Sequence, residues 1–293
     1  HTFWVERDGA VVAIVTAVVD RLYNERRQEH MGHLVLFEAL PDCDEAVGRL
    51  FATACEWLGA KGCGAVRQGF LPGWQLPLTV DAYQEIPTAF HTYNPPYYHS
   101  YVKNAGFQTE KGCVEYRVRF NEELAARYRG MVERAAASGV TLRRWDFSKL
   151  EQENALFTEL NADTFARHWG MPPFPEQVMA GLTVGLRPLL VPEYCVFAEV
   201  DGAPAGFVYS LPDLNQPAGG HGVLLIIGVK EAYRGRGINL GMAAQSYLAM
   251  IKRGCRSASY TVVLDDNRPS RRTAEKLGFR VERNFVVYRK DLG

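Results

Sequence analysis

Val229-Lys230-Glu231-Ala232-Tyr233-Arg234-Gly235-Arg236-Gly237-Ile238-Asn239-Leu240-Gly241 decides how this chain is read. Before it lies Gly222–Val229, an apolar run of strand length. After it, Ile238–Lys252 sets Leu240, Ala244, Tyr247, Leu248 and Ile251 at helical spacing. A strand that passes through a glycine-rich turn into a helix N-terminus is an anion cradle. The glycines let backbone N–H groups turn toward a phosphate, and the helix dipole favours negative charge there. Arg234 and Arg236 add positive charge. The plainer alternative is an ordinary turn with exposed arginines. The strand before, the helix after and a downstream Asn267…Gly278-Phe279 weigh against it.

The turn lies in the second of two copies. Glu6-Arg7-Asp8-Gly9-Ala10 returns as Glu199-Val200-Asp201-Gly202-Ala203. Asn94-Pro95-Pro96 with Gly106-Phe107 returns as Asn267-Arg268-Pro269 with Gly278-Phe279. After eight further residues each Gly-Phe is followed by Tyr-Arg, at Tyr116-Arg117 and Tyr288-Arg289. Each match is short, but three in one order define two copies of one α/β unit. The first copy is longer, chiefly through Gly69–Thr92, where Trp74, Tyr83 and Phe90 stand among Pro72, Pro77 and Pro87. So many aromatics mark an ordered loop rather than a linker. The leading strand and helices of the first copy are expected to lie outside this chain.

Periodicity predicts hairpins around Asp8-Gly9 and Asp201-Gly202, and strands at His33–Ala39, Val114–Phe120, Thr141–Trp145, Ala258–Leu264 and Val281–Arg289. It predicts helices at Asp44–Leu58, Tyr97–Asn104, Glu122–Ala137, Lys149–Arg167, Glu176–Leu186 and Pro269–Leu277, with a Pro-rich turn at Met171–Pro175. The expected domains are 1–120 and 140–293, joined by a connector helix over 121–139.

The 293 residues amount to about two domains at roughly 150 residues each. Lys+Arg and Asp+Glu both number 33 and 47% of residues are hydrophobic, which excludes a disordered chain. The balance also gives no basic excess for general nucleic-acid binding. No apolar run approaches the ~18 residues of a membrane span. Cys43, Cys55, Cys63, Cys113, Cys195 and Cys255 form no Cys-x-x-Cys pair. Buried thiols in a reducing cytosol are therefore expected, rather than a zinc site or a disulfide framework.

With strand, turn and helix in place, Thr141–Arg289 resembles the GCN5-related N-acyltransferases, and His1–Phe120 does so more weakly. The signature Arg/Gln-x-x-Gly-x-Gly/Ala falls on Arg234, Gly237 and Asn239, the last departing from it. The whole arrangement is similar to bacterial tandem members of that superfamily. The shared stretches are Tyr23-Asn24-Glu25, Gly69-Phe70, Tyr93–Tyr98, Asn161…His168-Trp169-Gly170 and Leu211-Pro212-Asp213-Leu214-Asn215. The resemblance implies an α+β fold of three-layer α/β type, in two tandem units. Each is a mixed central sheet flanked by helices, the first incomplete. It implies that Arg234, Gly235, Arg236, Gly237, Ile238 and Asn239 hold the coenzyme A pyrophosphate. Ile227, Gly228 and Val229 would pair with the pantetheine arm, and Asn267 would meet it. Acetyl-CoA or another acyl-CoA is the implied co-substrate, with no metal. In the first copy the corresponding turn is Leu40-Pro41-Asp42-Cys43-Asp44-Glu45. Acids without glycines stand where phosphates would go, so this copy is expected not to bind the coenzyme.

Transfer to an amine needs the amine deprotonated, the thioester carbonyl polarised and the thiolate reprotonated. The resemblance implies a general-acid Tyr five residues before Phe279, where this chain has Ala274. His221, Tyr209 and Asp265 are the candidate acid–base groups, by position alone. A solvated loop His, a packed strand Tyr and a turn acid are the respective alternatives. Asn161, His168 and Trp169, around a helix end, are candidates for acceptor binding, against capping and core packing. Four readings stay open. They are an acyl-CoA-dependent N-acyltransferase for a small-molecule or amino-acid-like amine, a long-chain transferase using acyl carrier protein, an aminoacyl-tRNA-dependent transferase, and a non-catalytic acyl-CoA sensor. The first is favoured. The expected setting is cytoplasmic, with neither nucleic acid nor membrane as partner, and a homodimer is left open.

Overall fold

The computed structural model describes residues 1–73, 77–171, 176–216 and 220–293, with the backbone alone at 176, 179 and 182. Trp74, Gly219 and the Pro-rich turn over 172–175 lie outside the described residues. The chain divides into two compact units, Val114–Glu282, and His1–Cys113 together with Arg283–Gly293.

The first unit opens with the hairpin β1 (Thr2–Arg7) and β2 (Ala10–Val18). Then follow α1 (Arg21–Arg27), β3 (Met31–Ala39), α2 (Asp44–Ala60), β4 (Ala65–Gln68), β5 (Leu78–Thr79) and α3 (Tyr98–Asn104). Strand β6 (Gln108–Arg119) starts in this unit and ends in the second. The second unit continues with α4 (Glu122–Ala137), β7 (Val140–Arg144), α5 (Leu150–Phe165), α6 (Glu176–Leu186), β8 (Val196–Val200) and β9 (Ala203–Pro212). It closes with β10 (His221–Val229), α7 (Ile238–Lys252), β11 (Ser257–Leu264) and α8 (Arg268–Lys276). The last strand, β12 (Arg280–Asp291), leaves the second unit and pairs with β4 and β5 of the first. The compact units are thus not the linear segments 1–120, 121–139 and 140–293. The helix over 121–139 packs on α7 inside the second unit, and the final residues belong to the first.

The repeat is geometric as well as textual. Asp8 and Gly9 have φ of 52° and 78°, and Asp201 and Gly202 have 51° and 76°. Two left-handed residues make the hairpin turn whose twist matches that of the flanking strands. The parallel ladder Met31↔Ala65 to Leu34↔Gln68 repeats as His221↔Ser257 to Leu224↔Tyr260. In both, the second position is glycine because a helix presses on it. A Cβ at Gly32 would lie 2.8 Å from Leu58 of α2, and one at Gly222 would strike Met250 of α7.

The second unit's sheet runs β7-β8-β9-β10-β11-β6. Alternation along its strands makes two faces. Val208, Leu224, Ala258 and Tyr260 face a core with α4, α7 and α8. Phe197, Phe207, Tyr209 and Leu211 face a second core with Trp145 and with Phe157 and Leu160 of α5. All six cysteines are buried and none is paired with another. Among the described residues no helix is long and apolar enough to cross a membrane, and no cluster of three or more metal-ligating side chains forms.

Candidate active site

Strands β10 and β11 pair only as far as Leu224↔Tyr260. Beyond that, a bulge between Leu224 and Ile226 redirects β10, which stays bonded to β9 through Ile226–Val229. The β11-facing edge of Ile226, Ile227, Gly228 and Val229 is left open, and two parallel strands part like a V.

At the end of that edge stands the glycine turn. Gly235 and Gly237 have φ of 83° and 74°, and a Cβ on either would meet nothing within 4 Å. They are glycines for backbone conformation, not for lack of room. Gly237 is the N-cap of α7, with no side-chain cap and no acid in the first turn. The N–H groups of Gly235, Arg236, Gly237, Ile238, Asn239 and Leu240 donate to no acceptor among the described residues. Arg234 braces the turn, its Nε donating to the Val229 carbonyl at 3.1 Å and Nη2 to that of Thr164 at 3.5 Å. The exposed Arg236 lies over the Tyr233 ring at 5.8 Å. Asn239 Nδ2 donates to Thr273 Oγ1 at 2.7 Å, tying α7 to α8. Asn267 caps α8, its Oδ1 accepting from the Ser270 N–H at 3.2 Å.

Gly228 has its own reason. A Cβ there would lie 2.6 Å from Phe207 and 2.8 Å from the Thr164 methyl, so α5 and β9 seat directly on the cradle strand. Gly206 is equally close, its Cβ 2.6 Å from the Gly228 carbonyl oxygen, which cannot swing aside as a side chain would. Gly206→Ala is therefore expected to destabilise the protein by about 1–3 kcal/mol. Urea unfolding of the variant checks this, and acyl-CoA affinity should fall with it.

The same place in the first unit is filled from within. The Ala39 N–H donates to Tyr98 Oη at 2.9 Å, and the Tyr98 hydroxyl donates to Glu38 Oε2 at 2.7 Å. The Cys43 N–H donates to Tyr101 Oη at 2.9 Å, while the Tyr101 and Tyr97 hydroxyls donate to the Leu40 and Ala39 carbonyls. Three tyrosines of the α3 region thus satisfy the strand end and helix start that the second unit leaves open. Asp44 and Glu45 already complement the α2 dipole.

Of the acid–base candidates, His221 is not a solvated loop residue. It opens β10 and is buried at 3% exposure. Its Nδ1 lies 2.7 Å from Ser257 Oγ and its Nε2 2.9 Å from Ser259 Oγ, and Ser259 donates to Glu115 Oε1 at 2.5 Å. Because Ser259 spends its proton on the carboxylate, it accepts from His221 Nε2–H. Nδ1 is then the acceptor for the Ser257 hydroxyl. Glu115 is 1% exposed and Ser259 fully buried, so the chain Ser257–His221–Ser259–Glu115 runs across the α5 face. Ser259 pairs opposite Val223, one step from where the strands part. Burial and the nearby Arg117 push the His221 pKa down to about 4, against the pull of Asp213 and Glu115. A histidine held neutral in the fold must charge on unfolding, so its contribution is full above about 6.5 and is lost as pH falls toward 4. Stability should decline through that window by up to about 1.4 kcal/mol per pH unit for this group. Unfolding of His221→Gln, followed across the same pH range, should show a correspondingly shallower slope.

Tyr209 is in the apolar core, 5.5 Å from both Trp145 and Phe157, and burial pushes its hydroxyl pKa up. Asp265 is exposed just past β11, its carbonyl accepting from Arg271 Nη1 at 3.1 Å. Ala274 is fully buried, so no hydroxyl stands there. Tyr260 Oη lies 2.8 Å from Ser270 Oγ instead, at the point where the strands separate, and burial raises the Tyr260 pKa to about 12. Asn161 is buried on α5 with its Nδ2 unpartnered, as are Asn154 Oδ1 and Thr164 Oγ1 on the same helix face. His168 and Trp169 are half-buried beyond the α5 end, the His168 ring edge-on to Phe165 at 5.3 Å. Glu115, Ser257, Ser259, Thr164, Tyr260 and Ser270 were not singled out from the sequence. The alternation Ser257-Ala258-Ser259 and a lone acid inside Val114–Val118 were the available signals.

Residues 155–279 match the acetyltransferase (GNAT) family. The protein YghO of Escherichia coli K12 is 23% identical over 74% of this chain, which spans 57% of that protein. A bacterial ceramide synthase of Caulobacter vibrioides is 26% identical over 99% of this chain and 83% of its own length. A tandem GNAT protein from the clavulanic acid biosynthesis pathway shares the fold. At a TM-score of 0.58 and 13% identity, the match covers all of this chain and 82% of that one.

Proposed function

We propose that this chain, whose second unit belongs to the acetyltransferase (GNAT) family, transfers an acyl group from coenzyme A to the amine of a small long-chain acceptor. The observation that carries the donor is the parting of β10 from β11 next to a turn with six N–H groups unused among the described residues. The open edge of Ile226–Val229 offers backbone partners to the pantetheine amides, and the turn offers them to the pyrophosphate. An arm running back along β10 sets the thioester near the bulge.

The amine nitrogen attacks the thioester carbonyl, a C–N bond forms and the C–S bond breaks. The amine proton leaves through Ser259 to Glu115, with His221 holding Ser259 in place. The Ser270–Tyr260 pair stands where the leaving thiolate needs a proton, in place of the hydroxyl that Ala274 lacks. Asn161 and Thr164 supply unpartnered polar atoms for the acceptor head. A ceramide is the amide of a fatty acid with a long-chain amino alcohol. The near full-length relation to a ceramide synthase favours an amine of that class over an amino-acid-like one.

The test offers the full chain acetyl- to palmitoyl-CoA with sphinganine or with short soluble amines, reading thiol release and amide mass. Amide of the long-chain base is the expected product. Turnover confined to soluble amines overturns the acceptor, and binding without thiol release over the whole panel overturns the enzyme in favour of a sensor.

A further inference from the structure

We propose that Arg283 of β12 is the charged wall of a binding site in the first unit for one small organic carboxylate. Among the described residues of that unit two arginines are buried, Arg67 and Arg283, at 2% and 3% exposure. Their surroundings are opposite. Arg67 lies between carboxylates, with Glu110 at 2.7 and 2.8 Å and Glu29 at 3.0 Å. Arg283 meets no carboxylate among the described residues. Its Nη2 donates to two backbone carbonyls, that of Ala82 at 3.3 Å and that of Glu85 at 3.1 Å. Its Nε is buried without a partner. The neighbouring acids are engaged elsewhere. Asp81 accepts from the Asn284 N–H at 2.8 Å and from Asn284 Nδ2 at 2.5 Å. Glu282 faces Arg117 at 3.8 Å. Glu85 is exposed and turns its carbonyl, not its carboxylate, to the guanidinium.

Buried charges in proteins are paired, because carbonyl dipoles alone do not repay the loss of water around an ion. Here they fix the plane of the guanidinium and bring no counter-charge. Both Nη2 protons are taken by the carbonyls, which leaves Nε–H and Nη1 as donors. A carboxylate brings one negative charge against one positive charge, on planar oxygens that suit a guanidinium. A phosphate dianion would leave a surplus charge in the same buried place. Phe285, two residues on and so on the same face of the strand, sets an aromatic side chain beside the site and favours an organic anion. The turn that holds the guanidinium is itself tied down. The Ala82 carbonyl also accepts from the Glu85 N–H at 3.1 Å, and Asp81 pins the start of the turn to Asn284 of β12. Ala82 is an L-residue at a φ of 52°, a conformation that such ties keep in place. Gln84, Glu85 and Ile86 of the same turn are exposed, so the site lies one turn below the surface. The inference is independent of the coenzyme cradle and of the acceptor.

The test is calorimetric titration of the full chain with acetate and with phosphate, ionic strength being held constant with chloride. It is repeated on Arg283→Gln, which keeps N–H groups for the two carbonyls and carries no charge. Acetate is expected to bind wild type in the millimolar range and the variant at least tenfold more weakly. Phosphate should bind wild type at least tenfold more weakly than acetate does. The melting temperature of wild type should rise with acetate, and that of the variant should not. Acetate should also slow chymotryptic cleavage at Tyr83 and Phe90 of wild type, a readout that stands even if the variant does not fold. Absence of acetate binding by wild type, equal binding by the folded variant, or tighter binding of phosphate overturns the proposal. A variant destabilised equally with and without acetate makes Arg283 a structural tie to the turn, and overturns it as well.

Discussion

Gly237→Glu is expected to weaken acyl-CoA binding by more than a hundredfold while leaving the protein folded. The position has a φ of 74° and open space around a built Cβ, so the new side chain clashes with nothing. Its conformational cost is about 1–2 kcal/mol, that of an L-residue in the left-handed region. The loss of affinity comes from charge. Among the described residues the six N–H groups from Gly235 to Leu240 are without acceptors, and a carboxylate on Gly237 becomes their acceptor before any phosphate arrives. Hydrogen bonds to a charged group contribute about 1.5–3 kcal/mol each, and losing one or two accounts for a hundredfold. Gly202→Glu is the control. Gly202 has a φ of 76° and the same open surroundings, in a hairpin turn apart from the cradle. It should lower the melting temperature about as much and leave calorimetric acyl-CoA affinity untouched. Affinity of Gly237→Glu within threefold of wild type would remove the cradle as the coenzyme site. The first unit already shows the expected end state, with Asp44 and Glu45 at its helix start and tyrosine hydroxyls on the backbone groups.

What was legible in the sequence was local. Ile238–Lys252 is a helix over the predicted residues, and both Asp-Gly turns are hairpins, because φ and capping are settled within a few residues. β4 was missed. It is four residues long and carries Arg67, which reads as loop. Arg67 is nevertheless buried, because Glu110 of β6 clamps it at 2.7 and 2.8 Å and Glu29 reaches it at 3.0 Å. Those partners are distant in sequence, and no window around Arg67 contains them. α1 was missed because it is seven residues long, with Tyr23 its one buried side chain. The destination of β12 was missed for another reason. A strand's pattern says which face is apolar, not which sheet it joins, and Arg283–Gly293 joins the first unit. The candidate site divides along the same line. The turn was read from consecutive residues, whereas the partners of His221 come from β11 and β6.

That network sets the second large effect. Glu115→Gln is expected to lower kcat by about 10²–10⁴-fold, the range for losing general acid–base assistance, with KM for acyl-CoA unchanged. The substitution is nearly isosteric and keeps an oxygen to accept from Ser259, so packing survives while the group can no longer take up a proton. His221→Gln should be milder, about tenfold, because it disturbs the orientation of Ser259 without removing the carboxylate. Ser257→Ala should be milder still, since Ser257 lies at the far end of the relay from where the strands part. The ordering of the three separates a relay from a structural cluster. If the network only stabilises the fold, melting temperatures will fall in some order while kcat of the folded fraction stays level. If Glu115 accepts the proton, its variant should lose kcat in the folded enzyme while its melting temperature stays near that of wild type. A Glu115→Gln enzyme with kcat within threefold of wild type sends the search to the other face of the sheet, where Tyr260 and Ser270 meet at the same parting of the strands.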